Sequence, residues 1–344
     1  MDVRLSSEQV ALRDSAAQVV DRLGPATVAQ LDDAERAGKL DAAVAAAGWR
    51  ELRTATDDGE PWASGVEVAV LAEELGRGLA DAAFLGPTLA ADLRRRAEAA
   101  PAAANETVAL RGDLSRLAVL DVDTEATAVD AHGASSALLL CADAGGYRLG
   151  AVPLGAETTS ADLTRPLALR RDDEPAIVLH GHTRLLDADD IARWQSLALA
   201  VACADLVGTM RGALALATEY AKERKQYGAA IGTFQAVQHL LADAHVATEG
   251  SRSISLHAAW AVDALSADDA LTACSAAKAY CARAARSVCE TSIQVHGGIG
   301  NTWDCLAHVF LRRALLSTEV LGGVGVNLER VLAARGIGGD DGLR

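Results

Sequence analysis

The sequence predicts a mainly α protein with a small β-domain set between two helical regions. Apolar residues recur at helical spacing near the N-terminus. Short apolar runs broken by Gly, Asp and Pro then fill residues 106–186, and helical periodicity returns for most of the remainder. With 344 residues, half of them hydrophobic, the chain can bury a core spread over several subdomains. The changes of pattern divide it into an N-terminal helical domain at 1–105, a central β-domain at 106–186, a helical bundle at 187–335 and a tail at 336–344, expected to lack order.

The first helix opens at SSEQVALRDSAAQVV, where Ser6 and Gln9 have capping-box spacing and Val10, Leu12, Ala16 and Val19 form a stripe. A turn follows at Gly48 and Trp49. VEVAVLAEELGRGLA then reads as a second helix that buries Val68, Leu71, Leu75 and Leu79 and stops near Gly76 and Gly78. The piece from residue 94 to 105 reads as a loop or short helix, and LRRRAEAA from Leu93 as an exposed basic patch. VALRG, LAVLDV, SALLLCA, YRLGAVPL and AIVLH read as strands of a small antiparallel sheet or barrel. After an N-cap at Asp187, three long helices with short connections make a bundle, Ser266 and Asp269 marking the third start, and a last helix spans about 305–321.

A formal charge of -15 and a pI near 4.9 argue against nucleic acid and anionic membranes, whose phosphates demand Lys and Arg. No apolar run approaches the ~18 residues of a membrane span. Six cysteines without a C-x-x-C pair, and a start without an apolar signal core, point to reduced, packed thiols in the cytoplasm. His180 and His182 lack a third ligand and are read as solvated rather than metal-binding.

Two segments are not explained by packing: ERKQYGAAIGTFQAVQ at 223–238 and QVHGGIGNTWD at 294–304. In the first, Arg224 ends a long helix beside a turn, which presents a cation and amides to an anion. In the second, Gly297, Gly298 and Gly300 carry no side chains, so backbone N–H groups are open to a phosphate or ribose. His296 inside that turn is read as a packed residue.

Together these segments resemble the acyl-CoA dehydrogenase family, and the resemblance extends to LSSEQVALRDS, EELGRGLADAAFLGPTLAA and SADLTRP. It implies an N-terminal helical domain, a central β-barrel and a C-terminal four-helix bundle. It further implies that Arg224, Gln226, Tyr227, Phe234, Gln235, Gln294, Gly297 and Gly298 contact the adenine-dinucleotide part of an FAD held mainly by a neighbouring subunit.

Dehydrogenation of an acyl-CoA thioester needs a base for the α-hydrogen and a flavin to take hydride from the β-carbon. In the family the base is a carboxylate at one of two places, which fall here on Gly322 and at about Ala198. Both lack an acid. Asp205 lies about 10 Å further along the helix from Ala198, beyond hydrogen-bonding reach, and neither Glu319 nor Asp304 falls on either place. The family's T-E-P-like loop, which holds the flavin ring, has no counterpart between Leu110 and Pro153. One architecture accounts for both departures: a non-catalytic subunit paired with a catalytic sister in an α2β2 acyl-CoA dehydrogenase, such as actinobacteria use on CoA thioesters of steroid side chains. An electron-transferring flavoprotein is the acceptor the resemblance implies. A self-sufficient homo-oligomeric flavin enzyme and a flavin-free structural subunit are the alternatives.

Overall fold

A computed structural model of the chain describes residues 4–102, 104–158, 160–171, 175–179 and 183–337. The two histidines at 180 and 182 and most of the tail lie outside the described residues. The architecture is helices, then a small β-barrel, then a helical bundle, as expected.

In the N-terminal part, α1 (Ser7–Leu23), α2 (Ala34–Ala46), α3 (Gly65–Arg77) and α4 (Leu85–Arg96) pack around Ala16, Leu40, Val68, Leu71 and Leu89. The Ser6–Gln9 capping box closes as expected, and a second one, Ser64 with Glu67, starts α3. Two of these helices go beyond the sequence reading. Helix α2 is rich in Ala and charge and buries only Leu40 and Val44, so its stripe is thin. Helix α4 carries Gly86 and Pro87 in its first turn, where a proline costs no hydrogen bond but interrupts the sequence pattern.

The expected basic patch at the end of α4 is corrected. Leu93 is buried, Arg94 makes a two-pronged ion pair with Glu106 at 2.6 and 2.9 Å, and Arg95 and Arg96 both bind Asp92. Arg53 reaches Asp92 as well, at 3.1 Å. Burial alone would raise the Asp92 carboxyl, but Arg96, Arg53 and Arg95 outweigh it and hold its pKa at about 2.

The β-domain comprises β1 (Glu106–Arg111), β2 (Ala126–Val129), β3 (Ser136–Asp143), β4 (Gly146–Thr158), β5 (Leu167–Arg170) and β6 (Ile177–Val178). Pairing runs β3-β1-β2-β5-β4, and β4 returns to β3, so five strands close on themselves with β6 added to β4. The pairing is antiparallel except between β1 and β3, which run parallel from Glu106↔Ser136 to Val108↔Leu138. LAVLDV is not a strand: it pairs with the barrel through isolated bridges at Leu117 and Val119, while Ala118 packs into the barrel's small core. Closure leaves Ala128, Ala137, Leu139 and Val152 in a small second core.

The bundle is α5 (Ala188–Glu223), α6 (Gln235–Ala264), α7 (Ala267–His296), α8 (Ala307–Glu319) and α9 (Val324–Ala334). The last helix expected, at about 305–321, is α8; a further helix, α9, not expected from the sequence, follows the break at Leu321 and Gly322, both at positive φ. Helix α5 is long and apolar enough to cross a membrane, yet every residue from Ser196 to Met210 is buried inside the protein. Five cysteines are buried and Cys305 is partly so, all as free thiols.

Candidate functional site

Helices α5 and α7 run in the same direction, because each is separated from the other by the antiparallel α6. Their C-terminal ends, which carry the two unusual segments, therefore share one end of the bundle. The rings of Tyr220 and His296 stack there with centroids 4.5 Å apart, joining the two ends. His296 is buried, and its Nδ1–H donates to the Ser292 carbonyl at 2.7 Å. It is a packed turn residue, as read.

At the end of α5 the Arg224 N–H caps the helix on Tyr220. The chain then makes a two-stranded hairpin, Lys225–Gln226 against Ala229–Ala230, whose turn places Tyr227 and Gly228 both at positive φ. That geometry matches the hairpin turns that favour glycine. Tyr227 is consequently thrown outward and is 95% exposed. Phe234, immediately before α6, meets it edge to face at 6.3 Å, and Gln235 is the first residue of α6. The Arg224 guanidinium is exposed and has no acidic partner among the described residues, whereas the Gln226 amide rests on the Lys225 carbonyl. At the end of α7, Gly297 adopts φ +65 and ψ -143, a conformation closed to residues with a Cβ. Space is open where a Cβ would stand at Gly297 and Gly298, and Gln294 is exposed beside them. The structure thus brings all eight dinucleotide-facing residues of the sequence reading to one solvent-facing end of the bundle. A cation, amides, an aromatic pair and bare backbone fit the phosphate, ribose and adenine groups of a dinucleotide.

The expected carboxylate positions are inside the protein. Ala198 is fully buried in the core of α5. Gly322 has φ +89, and a Cβ there would stand 2.8 Å from Val326 Cγ1. Its carbonyl accepts from Asn327 Nδ2 at 2.7 Å and from Lys278 Nζ at 3.3 Å. Lys278, fully buried, also donates to the carbonyls of Thr318, at 3.1 Å, and Val320. Burial, opposed by Cys203 and Glu319, lowers its amine to about 8. Sequence reasoning did not single out this lysine; a lone Lys in the Ala- and Cys-rich stripe of α7 was the available signal.

Where α3, α5, α8 and the β-domain converge, the space is occupied by charge. Asp205 binds Arg313 at 2.7 and 3.0 Å and Arg165 at 3.2 Å, and accepts from Ser317 at 2.7 Å. Arg165 also holds Asp162 at 2.9 Å, and Arg313 reaches the Ala80 carbonyl and the Thr164 hydroxyl at 2.8 Å. Burial would raise the Asp205 carboxyl, but Arg165 and Arg313 outweigh it and keep it ionised. A carboxylate held this way is a poor proton acceptor. The cavity left among these side chains is about 10 Å³, room for one water. Glu319 and Asp304 are both exposed.

The fold and this end-of-bundle arrangement define a three-part protein: N-terminal helices, a β-barrel and a helical bundle with one open end. Residues 198–336 match the family described as acyl-CoA dehydrogenase, C-terminal domain. The acyl-CoA dehydrogenase IpdE2 of Mycobacterium tuberculosis is 32% identical over 260 residues, covering 74% of this chain and 73% of that protein. Among solved structures, the Tcur3481-Tcur3483 steroid ACAD G363A variant has a TM-score of 0.79 at 24% identity, covering 96% of this chain and 98% of that one. The ChsE4-ChsE5 complex from Mycobacterium tuberculosis has a TM-score of 0.78 at 21% identity, covering 98% and 99%. This chain belongs to the acyl-CoA dehydrogenase family.

Proposed function

We propose that the chain is the non-catalytic subunit of a cytoplasmic heteromeric, FAD-dependent acyl-CoA dehydrogenase. In that complex it offers Arg224, Gln226, Tyr227, Phe234, Gln235, Gln294, Gly297 and Gly298 to the dinucleotide half of a flavin whose ring is held by a catalytic sister. The observation that carries the reading is at position 322, where the expected base is a glycine with no room for a side chain and with its carbonyl engaged by a lysine and an asparagine. The ion-paired state of Asp205 supports it, since Arg165 and Arg313 hold that carboxylate and leave it unfree to take a proton. When bound, the flavin would supply the hydride acceptor; this chain's residues would orient its phosphates and ribose. Two solved neighbours are two-component assemblies, and one is a steroid ACAD, which favours a steroid-derived acyl-CoA as the substrate class.

Absorbance in the flavin band tests the reading. Purified alone, the chain should carry well under one FAD per chain and show no dehydrogenation; purified with its catalytic sister, it should be yellow and active. A fully flavinated, active preparation of the chain alone would instead establish a self-sufficient enzyme, and a flavin-free, inactive assembly would establish a structural subunit.

A further inference from the structure

Beside the stacked Tyr220 and His296 lies a cavity of about 290 Å³ that the dinucleotide-facing residues do not use. Its floor is His296 and Leu216, and Glu219, Glu223 and Asp304 stand around it with Ile299. His296 is 7% exposed. The Ser292 carbonyl can only accept, so Nδ1 carries a proton, and in the neutral ring Nε2 is the acceptor. No group of the protein among the described residues donates to Nε2. Glu219 has Lys222 at 2.6 Å, whereas Glu223 and Asp304 have no cationic partner among the described residues. Two of the acidic groups around this cavity, Glu223 and Asp304, are therefore left asking for positive charge.

The volume lies at the lower edge of the roughly 300–1,000 Å³ usual for small-ligand pockets. It suits an aliphatic stem with a cationic head, the stem against Leu216, Ile299 and Leu306 and the head between carboxylates. Exposed apolar rings and chains adjoin it: Ile299 at 43% and Trp303 at 65%, the composition of an interface centre rather than of a free surface.

We propose that this cavity receives an arginine or lysine side chain of the catalytic sister subunit, with Glu223 and Asp304 binding its charge and His296 Nε2 accepting one of its N–H groups. The cavity's preference for a cation stands on its own geometry; only the sister chain as the source of the side chain rests on the heteromer reading.

The probes are N-acetyl-arginine amide and its uncharged isostere N-acetyl-citrulline amide, added to the purified chain while the His296 ring proton, assigned with His296→Gln, is followed by NMR. The arginine probe should give a saturable, salt-sensitive shift, at least five-fold weaker in Glu223→Gln/Asp304→Asn, and the citrulline probe none. Equal response to both probes, or no saturable response to arginine, overturns the proposal. In parallel, the double variant should bind the sister chain at least ten-fold more weakly at an unchanged melting temperature. Unchanged assembly of the double variant overturns the proposal and leaves the heteromer standing. A parent chain that binds arginine but no sister overturns the heteromer and leaves the cavity's chemistry intact.

Discussion

At position 322 the difference from a catalytic chain is one of space as well as chemistry. Gly322→Glu would place a side chain at φ +89 against Val326, so it should cost roughly 1–3 kcal/mol from the backbone alone and confer no dehydrogenation on the chain. A variant as stable as the parent that gains activity would refute the assignment. Asp205→Asn should be a stability variant: it leaves Arg165 and Arg313 buried with a weakened partner, a loss of about 3–5 kcal/mol by analogy with broken buried ion pairs. Thermal unfolding measures it, and a loss of turnover without a fall in melting temperature would return Asp205 to the list of bases. The sequence was sufficient to see that both carboxylate positions lack an acid. It could not show that a lysine 44 residues from Gly322 ties down the loop, because that contact exists only after α7 and α8 pack.

Helices with strong caps and clean stripes, α1 and α3, were legible before folding, whereas α2 and α4 were not. Their apolar faces are thin or interrupted, and they are held instead by tertiary partners. The three arginines at the end of α4 show the same limit: as sequence they are a basic run, and they become structural only once the helix sets Asp92 one turn from Arg95 and Arg96 and packing brings Glu106 to Arg94. Asp92 gives a pH signature. Its folded pKa of about 2 lies below the ordinary 3.8, so it adds stability above pH 4 that is lost as pH falls toward 2, on the order of 2 kcal/mol. Acid titration of the parent and Asp92→Asn should show a parent curve that falls through this window and a variant curve that is flatter. Parallel curves would mean that folding does not lower the pKa of Asp92.

For the whole molecule, the fold order was readable because each third has its own period, and the end proposed to face a dinucleotide stood out because two glycine- and aromatic-marked turns interrupt otherwise regular helices. Their convergence was not readable: it follows from α5 and α7 running the same way. Arg224, exposed at that end and without an acidic partner among the described residues, should matter for cofactor and not for folding. Arg224→Ala should weaken FAD retention by the assembled complex about ten- to a hundred-fold, the value of a charge-assisted hydrogen bond of roughly 1.5–3 kcal/mol, at an unchanged melting temperature. Unchanged FAD affinity with a lowered melting temperature would make it structural.

The central claim is that no carboxylate of this chain takes the α-proton. Glu319 is the acid within one helical turn of Gly322, and it is exposed. Single-turnover bleaching of the flavin by acyl-CoA, measured on the assembled complex carrying Glu319→Gln, isolates the chemical step. A rate within about ten-fold of the parent is the predicted result; a loss of the ~10²- to 10⁴-fold expected for a missing general base, with FAD content and assembly intact, would place the base on this subunit and contradict the account.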